Sequence, residues 1–269
     1  MNRYARYLNA LLALCCALAL ATCATAPESQ PGGGGTERTA VPLRVGISTN
    51  YPPLAFREEG VIKGVEVDLS NRLAERVDRQ VTLVEKPFDQ LIPALLDGEI
   101  DVIMAGMTIT DDRKEVVAFT QSYLDVGQMP LIRAADIGRM ANPLAIYAEG
   151  LRVGFESGTT GEQFVRANLS QAVPISFHGV EPAIAALRSG KIDMYIHDAP
   201  TIWRMGNDPS EQELMGLYRP LTNESLAWAV RKSDVKLRQE LDDTLSALRA
   251  SGELQAVIDR WIPVSVKIQ

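Results

Sequence analysis

Two pairs of segments in this chain nearly repeat each other, and this internal repeat constrains the fold more than any other feature of the sequence. The sequence LRVG at 43–46 recurs at 151–154, and each copy opens a short apolar strand. Later in each half, ALLDGEID at 94–101 is matched by ALRSGKID at 186–193. In both copies a helical pattern ends at a glycine, which tolerates the left-handed backbone typical of a helix C-terminus. The repeat therefore predicts two similar α/β lobes.

Between the repeated segments, the apolar spacing alternates between strand-like and helix-like patterns. Helical spacing covers 67–77 and 91–96 in the first half and 183–187 in the second. Strands that alternate with helices indicate parallel sheets with crossover helices, and such sheets bind ligands at the carboxyl ends of their strands. We therefore expect four strand ends to converge on one cleft between the lobes, namely 48–51, 106–110, 156–160 and 197–198.

The N-terminal segment has the features of an export signal. Arg3 and Arg6 precede an apolar run at 8–20, which is shorter than the about 20 residues that a membrane span needs. The sequence LATC that ends at Cys23 resembles the lipobox of bacterial lipoproteins, in which this cysteine becomes the acylated first residue. Ordinary cleavage after the ATA at 24–26 stays open as the alternative, because threonine stands where a lipobox usually has glycine or alanine.

A flexible tether follows the predicted signal peptide at 1–22. The segment 23–40 is rich in proline and glycine and has nothing to bury, which is typical of a linker. All three cysteines lie within the first 23 residues. The folded part of the chain therefore has no internal disulfide.

Composition excludes several classes of function. The chain has 27 basic and 34 acidic residues, and the net charge of −7 disfavours binding to nucleic-acid phosphates. The two histidines, His178 and His197, are too few for a histidine-rich metal site, and the aromatic content of 6% leaves little for base stacking. We expect no metal, no cofactor and no nucleic-acid partner.

Groups suited to a carboxylate follow the strand predicted at 101–105. Thr108 offers a hydroxyl, and Arg113 offers a planar guanidinium whose N–H groups match the two oxygens of a carboxylate. Thr110 suits the N-terminal cap of a helix. That structural role leaves Thr108 and Arg113 available for a ligand.

The second half carries complementary groups at its own strand ends. The sequence SGTTGE at 157–162 suits an anion near a helix N-terminus, although an ordinary capped loop explains it equally well. Asp198 is either a helix N-cap or the counter-ion of an ammonium group. His197 either contacts the ligand or lies in the core. Arg113 and Asp198 together predict a site for a zwitterion.

Several ordered motifs resemble those of the periplasmic amino-acid-binding proteins of ABC importers, which are bacterial extracellular solute-binding proteins of family 3. The resemblance runs from about Val41 to Ile262. The motifs are NYPPLAF at 50–56, GVEVDL at 64–69, LIPAL at 91–95, AGMTIT at 105–110 with Arg113, SGTT at 157–160 and DAP at 198–200.

The resemblance implies a binding site for an amino acid. Arg113 and Thr108 would hold the α-carboxylate, assisted by the backbone of Gly106 and Thr159, and Asp198 would bind the α-amino group. The remaining predicted ligand-binding residues, which would add aromatic packing or further contacts, are Tyr51, Phe56, Phe88, Met107, Thr160 and His197.

The resemblance also implies the type II periplasmic-binding-protein fold. Each lobe would be a mostly parallel sheet with flanking helices, and two crossover strands would form a hinge. Lobe 1 would comprise 41–124, completed by 229–269. Lobe 2 would comprise 125–228, including the hinge strands.

Two positions depart from the family pattern. Ser48 stands where some relatives carry an acidic group that binds a polar or cationic ligand side chain. Glu156 occupies a strand end that is often uncharged or basic. We interpret Glu156 as a solvated surface residue. A contact with a cationic ligand side chain is the alternative.

We therefore predict a non-enzymatic, monomeric receptor at the periplasmic face of the cell envelope, tethered by a lipid anchor. It would close around an amino acid or similar zwitterion and deliver it to an ABC permease. One alternative is an enzyme, because periplasmic cyclohexadienyl dehydratases resemble these receptors and Glu162 would then be the general acid. Another is a ligand-sensing domain for a signalling partner.

Overall fold

Two five-stranded sheets form the framework of the part of the chain that the structure describes. The structure, a computed structural model, describes residues 42–77, 79–207 and 212–263. The predicted signal peptide, the tether and Cys23 lie outside these residues. Within them, no helix is both long enough and apolar enough to cross a membrane.

The strands of the described residues are short and are numbered here in chain order. They are β1 (Leu43–Ile47), β2 (Asn50–Tyr51), β3 (Ala55–Glu58), β4 (Val61–Lys63), β5 (Val81–Glu85), β6 (Val102–Ile103), β7 (Val117–Phe119), β8 (Leu124–Val126), β9 (Gln128–Arg133), β10 (Arg152–Glu156), β11 (Val173–Phe177), β12 (Met194–Asp198), β13 (Leu214–Gly216), β14 (Glu224–Leu226) and β15 (Ala229–Arg231).

The α-helices alternate with these strands, as the apolar spacing predicts. They are α1 (Val65–Val77), α2 (Leu91–Leu96), α3 (Asp111–Lys114), α4 (Ile137–Met140), α5 (Thr160–Asn168), α6 (Val180–Arg188), α7 (Ala199–Gly206), α8 (Val235–Ser251) and α9 (Glu253–Trp261). Short 3-10 helices cover Phe88–Gln90, Ala134–Asp136 and Pro143–Tyr147.

The two sheets have the same pattern of strand directions. The order is β5-β1-β6-β15-β7 in the first sheet and β11-β10-β12-β9-β13 in the second. In each sheet the first three strands are parallel, and the fourth is antiparallel to both of its neighbours. The parallel strands are joined by crossover helices, α1 and α2 in lobe 1 and α5 and α6 in lobe 2. The predicted α/β fold of two lobes with mostly parallel sheets is confirmed.

The repeated sequence segments build the same ion pair in each lobe. Arg44 donates to Asp101 from Nε, Nη2 and its backbone N–H, at 3.1, 2.7 and 3.0 Å. Arg152 donates to Asp193 from the same three groups, at 2.9, 2.8 and 3.0 Å. The arginine at the start of one parallel strand thus binds the aspartate just before its neighbour. This contact gives the sequence repeat a structural cause.

A second arginine, supplied by the antiparallel strand, completes each cluster. Arg231 on β15 and Arg133 on β9 each donate to two backbone carbonyls near the end of the helix beside them, at 2.6 to 2.9 Å. The acceptors are Leu95 and Ile100 for Arg231 and Leu187 and Ile192 for Arg133. Gly98 and Gly190 follow α2 and α6 with φ of +74° and +71°, the left-handed conformation expected there.

Two antiparallel strands, β8 and β14, pair with each other and connect the lobes. Strand β8 leads into β9 of the second sheet, and β14 leads back into β15 of the first. The antiparallel strand of each sheet is therefore the one that enters from the hinge. The lobe boundaries at 124–125 and 228–229 stay a prediction.

Helices cover both faces of each sheet. In lobe 1, α1, α8 and α9 pack on one face around Leu69 and Leu245, and α2 packs on the other around Leu91. In lobe 2, α5 covers one face, and α6 and α7 cover the other. Because the faces are closed by helices, the carboxyl ends of the strands remain as the place where polar side chains can meet.

Candidate functional site

A cavity lies between the lobes at the carboxyl ends of β1, β6, β10 and β12, where the sequence predicts that the strand ends converge. It encloses about 370 Å³, including the space open to solvent. Lobe 1 and lobe 2 both supply polar side chains to it. The lining residues are Ser48, Tyr51, Phe88, Gly106, Thr108, Arg113, Gln128, Glu156, Thr159, Thr160, His197 and Asp198.

Most of the predicted ligand-binding residues line this cavity, but Phe56 and Met107 do not. The ring of Phe56 packs edge-on against Trp261, with 5.7 Å between ring centres, and lies 4.5 Å from the guanidinium carbon of Arg204. Met107 is buried among apolar side chains of lobe 1. The expectation that these two side chains contact a ligand is therefore corrected, because packing elsewhere takes up their apolar surface.

Arg113 is held at the cavity wall by the short helix α3. Thr110 caps this helix by accepting a hydrogen bond from the backbone N–H of Arg113 at 3.2 Å. The guanidinium donates to the carbonyl of Thr108 at 2.7 Å and, across the cleft, to the carbonyl of Gly158 at 3.0 Å. Its central carbon lies 5.4 Å from the ring centre of Phe88.

The charge of Arg113 is not neutralised by a carboxylate within the described part of the chain, because its hydrogen bonds go to backbone carbonyls. The residue is 7% exposed. Burial lowers the pKa of its guanidinium, and the nearby charges of Asp198 and Glu224 oppose that shift. An arginine in this setting stays cationic and retains N–H groups that can meet an anionic ligand.

Asp198 faces the same cavity from lobe 2. It occupies the N-cap position of α7, but its side chain makes no cap hydrogen bond there. Instead its carboxylate accepts hydrogen bonds from the Tyr51 hydroxyl of lobe 1 and from the Gln128 amide. Asp198 is 6% exposed, and this burial raises the pKa of its carboxyl to about 6. The side chain is therefore directed at the cavity and not at the helix.

His197 and Glu156 form a second polar pair beside Asp198. The Nδ1 atom of His197 accepts a hydrogen bond from the Asp198 backbone N–H at 2.8 Å, and its Nε2 lies 3.4 Å from Glu156 Oε2. Glu156 is only 6% exposed. The interpretation of Glu156 as a solvated surface residue is therefore wrong, because the residue is buried at the cavity wall.

Glu66 is a buried carboxylate that the sequence analysis missed. It accepts hydrogen bonds from the Gly106 N–H and the Tyr123 hydroxyl, both at 2.6 Å, and from the Trp228 indole at 3.1 Å. Burial raises the pKa of Glu66, and these three donors oppose the shift. Because Glu66 takes the N–H of Gly106, that backbone donor is not available for a ligand carboxylate. The signal was an acidic residue between valines in the motif at 64–69.

The position of Gly106 explains why the chain has glycine there. Its φ is +63°, and an added Cβ would lie 2.4 Å from Cε1 of Tyr51. The loop can therefore follow the Tyr51 ring closely only without a side chain at this position. This close approach places the hydroxyl of Tyr51 against Asp198.

Two further residues near the site were not among the predicted ones. Gln128 begins β9, at the entrance to lobe 2, and donates to Asp198 and to Thr160. Glu224 lies on hinge strand β14 and accepts hydrogen bonds from Thr108 at 3.0 Å and Thr160 at 2.7 Å. One hinge carboxylate thus holds a hydroxyl from each lobe. Neither residue stands in a motif that would have singled it out.

Glu162, the general acid of the enzyme alternative, does not line the cavity. Its carboxylate accepts hydrogen bonds from the Gly158 N–H at 2.9 Å and from Arg166 Nε at 2.8 Å. Thr159 in turn accepts from the Glu162 N–H at 3.3 Å. This pattern is close to a capping box at the start of α5, except that Glu162 accepts from Gly158, the residue before the N-cap Thr159. The loop at 157–162 is therefore a capped helix start, the structural alternative considered for it.

Comparison with known proteins finds similarity along almost all of the described chain. The family model of the bacterial extracellular solute-binding proteins, family 3, matches residues 43–264. The ABC transporter arginine-binding protein 1 of Escherichia coli is 26% identical over 225 residues, which cover 82% of this chain and 90% of that protein. The histidine-binding periplasmic protein of the same organism is 27% identical over 241 residues, covering 83% and 88%.

A solved structure is similar in fold as well as in sequence. It is an ancestral amino acid-binding protein described as a precursor of cyclohexadienyl dehydratase, and it matches with a TM-score of 0.75 at 28% identity. The match covers 82% of this chain and 94% of that one. The similarity therefore includes both lobes.

Proposed function

The chain belongs to the bacterial extracellular solute-binding proteins, family 3, and on this premise we propose that it captures an amino acid between its lobes and presents it to the permease of an ABC importer. The relatives named above are an arginine-binding protein of an ABC transporter and a periplasmic histidine-binding protein. Both names support an amino acid as the ligand of this chain, and the second supports a periplasmic location for it.

The observation that carries the proposal is the placement of opposite charges on opposite walls of one cavity. Arg113 comes from lobe 1 and Asp198 from lobe 2, and both line the cavity. An α-amino acid presents a carboxylate and an ammonium group on neighbouring atoms. Such a ligand satisfies both side chains only when it bridges the lobes.

The cavity offers a separate partner to each part of an amino acid. The guanidinium of Arg113 binds the α-carboxylate, and Asp198 binds the α-ammonium group. The hydroxyl of Thr108 donates to Glu224, so it reaches the carboxylate only if the ligand displaces that contact. The backbone N–H of Gly106 is donated to Glu66, so this residue can offer a ligand only its carbonyl oxygen. A carbonyl oxygen accepts hydrogen bonds and therefore suits the ammonium group. Tyr51 and Phe88 supply the aromatic surface against which the ligand packs.

Ligand capture is coupled to closure of the lobes. A ligand that contacts both lobes has a higher affinity for the closed arrangement than for the open one, and it shifts the population accordingly. The hinge strands β8 and β14 supply the connection about which this motion occurs. The permease would then recognise the closed form.

The location follows from the N-terminal segment and from the family. We propose that 1–22 directs export and that Cys23 carries a lipid that anchors the protein at the periplasmic face of the envelope, with 23–40 as the tether. Mass spectrometry of the protein isolated from membranes tests this, since acylation adds the mass of a diacylglyceryl group to a chain that begins at Cys23. A chain that begins after 26 and carries no lipid contradicts it.

A binding role is favoured over the dehydratase alternative by the contacts of Glu162. A general acid has to reach the leaving group of the substrate, whereas both carboxylate oxygens of Glu162 are engaged by Gly158 and Arg166. We therefore propose that the protein binds and releases its ligand unchanged. Incubation with prephenate or arogenate should give no increase in ultraviolet absorbance from phenylpyruvate and no phenylalanine.

Isothermal titration calorimetry with the twenty amino acids tests the proposed function. We expect binding of at least one of them, and we expect Arg113→Ala to abolish it with the circular dichroism spectrum unchanged. Arg238→Ala serves as the matched control, because Arg238 is an exposed arginine on α8 outside the cavity. If none of the amino acids binds, the proposed function is wrong.

A further inference from the structure

A second carboxylate lies on the same wall of the cavity as Asp198, and the proposed clamp on the zwitterion does not use it. Glu156 ends β10, and Asp198 ends the neighbouring parallel strand β12. Both residues line the cavity, and Glu156 is 6% exposed. A buried carboxylate is costly unless a cation or several hydrogen bonds compensate it. The contacts of Glu156 within the protein therefore show whether its charge is compensated or is available to a ligand.

His197 is the side chain that contacts the carboxylate of Glu156, and the contact is a long one. Its Nδ1 accepts the backbone N–H of Asp198 at 2.8 Å, so Nε2 is the nitrogen that faces Glu156. The remaining Nε2–H points to Glu156 over 3.4 Å, which is long for a hydrogen bond. No lysine or arginine of the described chain lies within ion-pair distance of Glu156.

The charges around the cavity are therefore unequal. Arg113 is the cation among the lining residues, and Asp198 and Glu156 are the anions. A neutral zwitterion matches Arg113 with its carboxylate and Asp198 with its ammonium group. It leaves Glu156, which is 6% exposed, without a cationic group of the ligand to pair with.

Apart from Arg113, which is assigned to the ligand carboxylate, the lining residues of lobe 1 add no compensating charge. Ser48 lines the cavity there, 1% exposed, and it can only offer a hydroxyl. The other nearby acidic residue, Glu224, already accepts hydrogen bonds from three threonine hydroxyls and does not line the cavity. Glu156 is thus the carboxylate left for the ligand side chain.

We propose that Glu156 sets the specificity of the site by pairing with a cationic group on the ligand side chain. The ligand is then an amino acid with a guanidinium, ammonium or imidazolium group. This inference rests on the proposed function and adds the chemical class of the side chain to it. Glu156 and Asp198 both belong to lobe 2, so both carboxylates reach the ligand in the same closing movement.

Matched ligands separate the charge of the side chain from its shape. The test measures calorimetric affinities for arginine, lysine and histidine against citrulline, norleucine and glutamine, which are neutral and of similar size. We expect at least one cationic amino acid to bind about tenfold or more tightly than every neutral one. In Glu156→Gln this preference should fall to within about threefold, mainly because the cationic ligands lose affinity.

The control variant is Glu181→Gln, because Glu181 is an exposed glutamate on α6 of the same lobe. It should bind every ligand as the unmodified protein does. If the Glu156→Gln variant does not fold, Glu156→Asp takes its place, because the shorter side chain draws the charge back by one methylene and should also lower the cationic preference.

The outcomes distinguish this inference from the function on which it rests. Tight binding of a neutral amino acid, equal to or above that of the cationic ones, overturns the role of Glu156 and leaves the amino-acid receptor intact. A cationic preference that survives Glu156→Gln also overturns it. Binding of none of these ligands or of the other amino acids overturns both.

Discussion

The carboxylate of Asp198 is held by two neutral donors, and its charge therefore stays available to a ligand. Tyr51 reaches it from lobe 1, and Gln128 reaches it from the entrance to lobe 2. Neither donor compensates the charge fully, because burial still raises the pKa of the carboxyl to about 6. Without ligand, the fold is therefore less stable than it would be with a neutral side chain at position 198. The ammonium group of a bound ligand supplies the positive charge that offsets this cost.

Asp198→Asn should weaken amino acids far more than their deaminated analogues. The amide keeps hydrogen-bonding capacity but loses the charge that opposes an ammonium group. Loss of one partner of a buried charge pair costs about 2–5 kcal/mol, or about 30-fold or more in affinity. Calorimetry with the bound amino acid and its deaminated analogue measures the difference, with the exposed Asp259 changed to Asn as the control. Equal losses for both ligands would contradict the role of Asp198.

The raised pKa of Asp198 predicts two pH dependences. Binding needs the ionised form, so affinity should fall by up to about tenfold per pH unit as the pH drops below 6. The contribution of Asp198 to the free energy of unfolding of the ligand-free protein should instead rise as the pH falls. The folded state binds the proton more tightly than the unfolded chain, so this group stabilises the fold below about pH 4 and loses that contribution as the pH rises to 6.

Asp198→Asn should remove both effects. At pH 7 the ligand-free variant should be up to about 3 kcal/mol more stable than the unmodified protein, since a shift of one pKa unit corresponds to about 1.4 kcal/mol. Denaturant unfolding from pH 4 to 7 measures this. A variant that is less stable than the unmodified protein at pH 7 would show that the carboxylate is well compensated in the fold.

At the scale of elements, the repeated arginine–aspartate pairs tie neighbouring parallel strands together in each lobe. Hydrogen bonds from Arg152 lower the pKa of Asp193 despite burial. In lobe 1, burial raises the pKa of Asp101, but the hydrogen bonds from Arg44 and Arg231 together outweigh burial and lower that pKa. Both aspartates thus stabilise the fold above their ordinary pKa and lose that contribution as the pH falls below about 4.

Asp193→Asn and Asp101→Asn should each destabilise the protein by about 1.5–3 kcal/mol, the usual contribution of hydrogen bonds to a charged group. Neither aspartate lines the cavity, so ligand affinity should stay unchanged. Thermal unfolding together with calorimetry separates the two effects. The same loss in both variants would show that the two lobes use the pair equally, and no loss in either would contradict its structural role.

The repeat made this part of the fold predictable, because the same short sequence builds the same contact twice. The second arginines, Arg231 and Arg133, could not be found in this way. They lie on the antiparallel strands that enter from the hinge, outside the repeated segments, and they meet the cluster only when the chain has crossed between the lobes. The order of residues in the sequence therefore gives no sign of contacts that form only when the chain crosses between the lobes.

For the molecule as a whole, contacts outside the cavity also hold the lobes together. The hydroxyl of Thr201 on α7 donates to the carbonyl of Pro52 at 2.6 Å, and Arg204 lies over the ring of Phe56. Thr201 is fully buried and does not line the cavity. These contacts favour the closed arrangement without touching the ligand.

Thr201→Val should therefore weaken ligand binding without altering any ligand contact. The substitution keeps the shape and removes one hydrogen bond, which contributes about 1 kcal/mol, or about fivefold in apparent affinity through the closed population. Calorimetry measures the affinity, and small-angle scattering without ligand should show a larger radius of gyration. An unchanged affinity would mean that this contact is kept in the open form as well.

A site residue was predictable where a suitable side chain stood at the end of a predicted strand. It was not predictable where the role of the residue depends on its burial in the folded chain. Arg113 and Asp198 follow strands that the pattern identified, and the structure places both on one cavity. Glu156 was misinterpreted because a strand pattern contains no information about which strand ends become buried in the folded chain. Gln128 and Glu66 act through hydrogen bonds that only the folded chain brings together.

The most direct test of the central claim is a crystal structure of the protein with its tightest-binding amino acid. We expect the α-carboxylate about 2.8 Å from the guanidinium of Arg113 and the α-ammonium group at the same distance from the carboxylate of Asp198. A ligand bound elsewhere, or one that leaves either group on internal partners alone, would contradict the claim that these two charges clamp a zwitterion between the lobes.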